Sequence, residues 1–349
     1  MLLYAGITSF SFKYLKISQL LVTILKQRSQ SAGNLVSYLK LVNNNLFYFT
    51  YFKNYKSSSE TLRNNTNINL NKISIHRPSH LKPTNNEDFG YYLAGLIDGA
   101  GKFCIKNLNI QLVIRFEYSD ASLAYFIKKR LGFGRVIKNE NNRTLIFLID
   151  KVEGVIKVIN FVKDKIRNQE ILDQIKNNIC LQSYLIQIIE KDNPIILSTN
   201  QVKILSDNSN LQLNINADLN NYWFCGFSDV ISNFNIKVLG NIKTKLSIDN
   251  ISLSFQMKFK DKKLLNVIKN FLGGNIIYNK RENLYYYKTE SFLSAYKIIN
   301  YFDKYHLLSS KYIYYIKWRK TYNIIQDNNH LKINGFIKIM KIVEFMNKN

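Results

Sequence analysis

Tyr91-Tyr92-Leu93-Ala94-Gly95-Leu96-Ile97-Asp98-Gly99-Ala100-Gly101 is the stretch on which the fold turns. It predicts a short helix that is apolar nearly all round, so it belongs in an interior rather than on a surface. Ala94 and Gly95 are small, which lets another helix backbone approach closely. A worn second copy reads Trp223-Phe224-Cys225-Gly226-Phe227-Ser228-Asp229-Val230-Ile231-Ser232, again with small residues at Cys225 and Gly226. Gly95 and Gly226 are 131 residues apart, too long a period for a solenoid and about right for a duplicated domain.

The segments downstream of the two copies repeat as well. After the first, Leu112, Ile114, Phe116 and Tyr118 alternate with Gln111, Val113, Arg115 and Glu117, a strand period. Asp120 is expected to cap a helix over 121–131 that ends at Gly132. A strand pair over 135–138 and 143–149 turns at 139–142, and helices over 152–166 and 170–190 close the half. After the second copy come strands over 234–238, 243–248 and 251–260. Asp261 is expected to cap a helix over 262–272 that ends at Gly273-Gly274. Strands over 275–279 and 284–288 come next, then helices over 292–305, 311–326 and 335–347. Asp88 is expected to cap the first copy. The chain divides into a basic, acid-poor arm (1–60), a linker (61–87), a first subdomain (88–193), a connection (194–219), a second subdomain (220–327) and a C-terminal helix (328–349).

The 349 residues carry 49 Lys+Arg against 24 Asp+Glu, a formal net charge of +25. That excess points to a polyanionic partner, nucleic acid first. The three cysteines are far apart, with no pair at metal-ligand spacing, which argues against a zinc site and a disulfide framework. The apolar runs of the arm are too short to span a bilayer. With Tyr 23 and Phe 22 against Gly 14 and Pro 3, the composition carries the codon bias of an AT-rich genome. Organellar DNA is one such source and an AT-rich nuclear genome another. The arm, whose first acidic residue after the lysines and serines is Glu60, fits either a transit peptide or the remnant of a longer reading frame.

Leu93 to Gly101, LAGLIDGAG, closely resembles the signature of LAGLIDADG homing endonucleases and their maturase relatives, and FCGFSDVIS at 224–232 resembles a degraded second signature. The resemblance covers about 88–326. It implies an α+β fold, a pseudo-twofold duplicated αββαββα unit with a two-helix central interface at Ala94, Gly95, Cys225 and Gly226. Two saddle-shaped antiparallel sheets would face nucleic acid. Active members place a carboxylate at the eighth motif position of each helix, and the pair holds Mg²⁺ for phosphodiester hydrolysis. Here those positions are Ala100 and Ile231. Asp98 and Asp229, at the sixth position, are turned about 200° along the helix from the eighth and are expected to be structural.

The resemblance therefore implies no catalytic residue, no metal and no required cofactor. Nucleic-acid contacts are expected from Gln111, Arg115, Lys243, Lys245, Gln256, Lys258, Lys260, Lys280, Arg281, Lys288, Lys317 and Arg319. Together these features imply a mitochondrial-matrix, organelle-encoded monomer with an internal pseudo-dimer. It would bind structured RNA, as a group I intron maturase or RNA-stabilising factor, more readily than DNA. A structural component of the mitochondrial ribosome, contacting ribosomal RNA and proteins, fits the same residues. An active double-stranded DNA homing endonuclease fits everything except Ala100 and Ile231.

Overall fold

The computed structural model describes residues 71–106, 109–139, 143–192, 211–238 and 251–348, which fall in a single compact unit. The expected arm, the strand over 243–248 and the residues Lys243 and Lys245 lie outside them.

Two halves with the same plan are built on two central helices. In the first, α1 (Asn86–Ala100) runs directly into β1 (Gly101–Lys106) and β2 (Asn109–Glu117). A short 3₁₀ turn leads to α2 (Ala121–Leu131), β3 (Arg135–Asn139), β4 (Thr144–Ile149), α3 (Val152–Val162) and α4 (Gln169–Asp192). In the second, α5 (Trp223–Ile231) leads into β5 (Ser232–Val238), β6 (Ile251–Phe259), α6 (Lys262–Leu272), β7 (Asn275–Asn279), β8 (Leu284–Thr289), α7 (Phe292–Lys304) and α8 (Lys311–Gln326). Helix α9 (Ile333–Lys348) packs on α8. Each half forms a four-stranded antiparallel sheet, in the orders β1-β2-β4-β3 and β5-β6-β8-β7. These are the two sheets of the αββαββα duplication.

Strand alternation decides which face of each sheet is buried. On β2, Ile110, Leu112, Ile114 and Phe116 enter the core, while Asn109, Arg115 and Glu117 are exposed. On β6, Leu253, Phe255, Met257 and Phe259 enter it, and Lys258 is exposed. Among the described residues, helices cover the apolar face of each sheet and leave the other helix-free. Helices α2 and α6 end on Gly132 (φ 75°) and Gly273 (φ 84°), the left-handed positions where glycine carries no steric cost.

Two expected caps need correction, and two features go beyond the expectations. Helix α1 starts earlier than its apolar run: Asn85, not Asp88, is the cap, its side chain accepting from the Asp88 amide. Strand β1 is an element the sequence does not announce, because a helix passing into a strand without a turn leaves no loop signal between them. Asp120 makes no cap for α2; its Oδ1 accepts from the Ser310 amide at 2.7 Å, tying the first half to the start of α8. The linker is a pinned strap where it is described. Ile73 pairs through its backbone with the Gln326 side chain (2.8 and 3.0 Å), and Arg319 and Asn323 donate to the Ser74 carbonyl. Asp261, by contrast, does cap α6, accepting from Lys263.

Helices α1 and α5 lie against each other at their glycines. A Cβ on Gly95 would sit 1.9 Å from the Trp223 carbonyl oxygen, and one on Gly226 would sit 2.0 Å from the Tyr92 carbonyl oxygen. Backbone on both sides leaves nothing flexible to yield. Gly95→Ala and Gly226→Ala are each expected to destabilise the fold by about 3 kcal/mol or more, beyond ordinary core overpacking. Urea unfolding of each variant checks this; a loss below about 1 kcal/mol would mean the helices can separate without consequence.

Candidate nucleic-acid interface and the helix joint

The two sixth-position carboxylates are buried and make a crossed pair of contacts between the halves. Trp223 donates its indole N–H to Asp98 Oδ2 at 2.8 Å, and Tyr92 donates its hydroxyl to Asp229 Oδ2 at 2.7 Å. Tyr92 and Trp223 each stand three residues before the contact glycine of their helix, and Asp98 and Asp229 each stand three after it. Each helix thus lends an aromatic donor to the other helix's acid.

The acids also hold the fourth helix of their own half. Asp98 accepts from the backbone amides of Arg167 and Asn168, which lead into α4 (2.8 and 3.2 Å). Asp229 accepts from the amides of Leu308 and Ser309 and the Ser309 hydroxyl, which lead into α8 (2.9, 3.1 and 2.5 Å). The Arg167 guanidinium lies over the Trp223 ring and donates to the carbonyls of Asn216 and Asp218, anchoring the connection between halves. Burial pushes the Asp98 carboxyl up to about 7, against the pull of the Arg167 amide and the Trp223 indole. Burial raises Asp229 as well, opposed chiefly by the Ser309 hydroxyl, and holds the Tyr92 hydroxyl well above its usual range.

The eighth positions end the two helices. Ala100 is the last residue of α1 and Ile231 the last of α5, both half-buried and packed on the core. A divalent ion here would need oxygen ligands. The residues present do not fit one: both side chains end in methyl groups, and both neighbouring acids are taken up by the donors just described. Among the described residues, no group of three or more His, Cys, Asp or Glu is placed to hold a metal.

The expected interface residues fall into three sets. Ala94, Gly95, Cys225 and Gly226 are buried in the helix pair, with the Cys225 thiol donating to the His306 carbonyl of its own half. On the helix-free faces lie half-buried Gln111, exposed Arg115, half-buried Gln256, and exposed Lys258 paired with Glu282 at 3.6 Å. Lys288 is placed there too and pairs with Glu290 at 2.7 Å; Lys280 and Arg281 are exposed at the β7–β8 turn. The third set is committed elsewhere. Lys260 pairs with Glu170 on α4, a link between halves. Lys317 lies over the Phe345 ring of α9. Arg319 is corrected outright: it is buried, holds both oxygens of Asp303, and donates to the strap at Ser74 and His76. Its Nε and Nη2 donors are thereby taken up within the fold.

Sequence reasoning missed Tyr92, Trp223, Arg167 and Ser309. The aligned copies carried a signal for the first two: an aromatic residue with a polar tip recurs at the same place before each glycine.

A model of the family described as LAGLIDADG endonuclease matches residues 224–322. The chain is 44% identical over 351 residues to an uncharacterized cox1 intron-2 37.2 kDa protein of Schizosaccharomyces pombe, covering 97% of this chain and 95% of that one. It is 23% identical to the intron-encoded DNA endonuclease aI3 of Saccharomyces cerevisiae, over 78% of this chain and 72% of the relative. It is 28% identical to the intron-encoded RNA maturase bI4 of the same yeast, over 62% of this chain but only 29% of the longer relative. Among solved structures, I-SmaMI bound to uncleaved DNA target in the presence of calcium ions superposes with a TM-score of 0.57, at 19% identity, over 76% of this chain and all of that one.

The Asp98 site gives a pH prediction. Its folded value, about 7, lies above the ordinary 3.8, so the folded state keeps a proton that the unfolded chain releases. The site's contribution to stability therefore falls as pH rises from about 4 to about 7, by up to ~4 kcal/mol, and is level above that. Asp98→Asn abolishes this titration, so the wild-type-minus-variant stability should shrink over that range. Chemical denaturation at pH 4, 5.5 and 7 reads it; a gap that widens with pH would mean the carboxylate is ionised throughout. Trp223→Phe, which removes one donor to the acid, should cost about 1.5–3 kcal/mol at neutral pH.

Proposed function

The chain belongs to the LAGLIDADG family, and from that premise we propose that it is a non-cleaving member that binds the folded RNA of its own intron, as a maturase. The observation that carries the reading is the pairing of an intact joint with unsuitable helix ends. Gly95, Gly226, Asp98 and Asp229 are all engaged, while Ala100 and Ile231 supply no ligand for a metal. The joint is what any two-half member needs in order to fold. The eighth-position acids are what only a nuclease needs.

Binding structured RNA requires basic surface and shape, not metal-ligating acids. A net charge of +25 and the exposed cations Lys102, Lys106, Arg115, Lys258, Lys280 and Arg281 suit that task. Relatives named for introns, one of them for RNA maturase activity, support an intron-encoded origin and a mitochondrial matrix location. No metal cofactor is needed for such a role, because the RNA performs its own chemistry.

The test is a two-arm assay on purified protein. DNA spanning the presumed insertion site, incubated with Mg²⁺, should stay intact, and the unspliced transcript should bind and splice faster. If about six phosphate contacts form, affinity should fall roughly 10³-fold between about 50 and 200 mM salt. Site-specific cleavage would overturn the reading. Copurification with ribosomal particles in place of unspliced transcript would assign the binding to the ribosome.

A further inference from the structure

The strap and α8 leave a cleft between them that the helix joint does not use. It lies away from the helix-free faces: α8 covers the apolar side of the second sheet, where its Tyr315 and Trp318 meet the Phe234 ring of β5. Ile316, Lys320, Asn323 and Ile324 line the cleft from α8, and Ile75 and Arg77 line it from the strap. The α8 residues recur at helical spacing and so make one stripe. The volume is about 460 Å³, within the range of small-ligand sites. Ile75 is 66% exposed, although the residues before it are pinned to α8 by Gln326, Arg319 and Asn323. A large aliphatic side chain is thus held out at the edge of the cleft.

Two buried polar residues of α8 line the same cleft and are only partly satisfied. Asn323 donates Nδ2 to the Ser74 carbonyl at 3.1 Å, which fixes the orientation of its amide, and its buried Oδ1 has no partner. Arg319 spends Nε and Nη2 on Asp303 and the strap, while its Nη1 makes no bond among the described residues. An acceptor and a donor therefore stand one helical turn apart. A buried acceptor left unpaired is costly, and a ligand that donates to it recovers the loss. Arg77 and Lys320, both exposed, add positive charge. Asp327, at the C-terminal end of α8, also lines the cleft, and Lys72 pairs with it at 2.7 Å.

We propose that this cleft is a nucleotide site. Ile75, Ile316 and Ile324 take the faces of a base, Asn323 and Arg319 take a donor and an acceptor on its edge, and Arg77 and Lys320 take the phosphate. Every nucleobase carries a donor beside an acceptor on its Watson–Crick edge. In a duplex that edge is already paired, so the ligand is an unpaired nucleotide. Unpaired bases in loops and bulges, splayed out and bonded along their edges, are where proteins read RNA. The source is a loop of the intron transcript, and to that extent the inference rests on the RNA reading. A free mononucleotide carries the same chemistry, and the experiment separates the two.

The full-length protein is irradiated with a single-stranded RNA heptamer carrying one photoreactive base, 4-thiouridine or 8-azidoadenosine. In a separate arm it is irradiated with the same bases as free monophosphates. Mass spectrometry then locates the crosslinked peptides. Crosslinks should fall on residues 73–77 and 316–324. Crosslinks there from the heptamer alone make the ligand an RNA nucleotide; crosslinks there from the monophosphates as well, displaced by unlabelled mononucleotide, make it a free nucleotide. Either result upholds the site, and crosslinks confined to other peptides would overturn it. By fluorescence anisotropy, Arg77→Ala/Lys320→Ala should weaken heptamer binding about ten-fold or more. Lys128→Ala/Lys129→Ala removes the same charge from exposed positions of α2 and should have a smaller effect. Equal losses in the two double variants would mean attraction to charge in general, and would also overturn the proposal. The crosslinks are read on wild-type protein, so they stand even if a variant folds poorly. Failure of transcript binding with the monophosphate crosslinks retained would count against the RNA reading alone.

Discussion

The structure depends on two glycines that let two helix backbones touch. With side chains absent at Gly95 and Gly226, α1 and α5 approach until carbonyl oxygens fill the space a Cβ would need. That closeness brings Trp223 within reach of Asp98, and Tyr92 within reach of Asp229. Each acid also collects backbone amides from the segment entering α4 or α8. One contact thus fixes the relation of the two helices, and through them the placement of the helices that come after. Polar groups buried this deeply are costly unless satisfied, so the network constrains the halves to one arrangement.

This joint separates two kinds of carboxylate that sit two residues apart in the motif. The sixth-position acids are structural: buried, saturated with donors, and pushed upward in pKa by burial. The eighth-position residues do not serve the joint, because Ala100 and Ile231 complete their helices while only half-buried. The fold builds its joint on the acid at the sixth position of each copy and makes no use of one at the eighth. The helix-free faces carry the same lesson, since their side chains differ freely between halves while the registers beneath them match.

Much of this was legible in the sequence, for identifiable reasons. The repeat, the strand faces of β2 and β6, and the glycine ends of α2 and α6 are local patterns, and the chain obeys them. Strand β1 escapes such patterns because Gly101 ends a helix and begins a strand at once. Asp120 and Arg319 mislead because their partners, Ser310 and Asp303 with the strap, are distant in sequence or carry no motif. Lys260 reads as a free cation until Glu170 is placed beside it. Exposed charge can be guessed from a sequence, but whether a given charge is already paired depends on contacts that only the fold supplies.

The joint is intact while the helix ends carry no side-chain ligand for a metal. Backbone NMR of the protein in complex with duplex DNA, titrated with Mn²⁺, examines those ends directly. No site-selective broadening of the amides of Gly99, Gly101, Val230 and Ser232 is expected at low Mn²⁺ in the wild type. Saturable broadening centred on those four amides would contradict it, and would place a metal between helix ends that lack the expected acids.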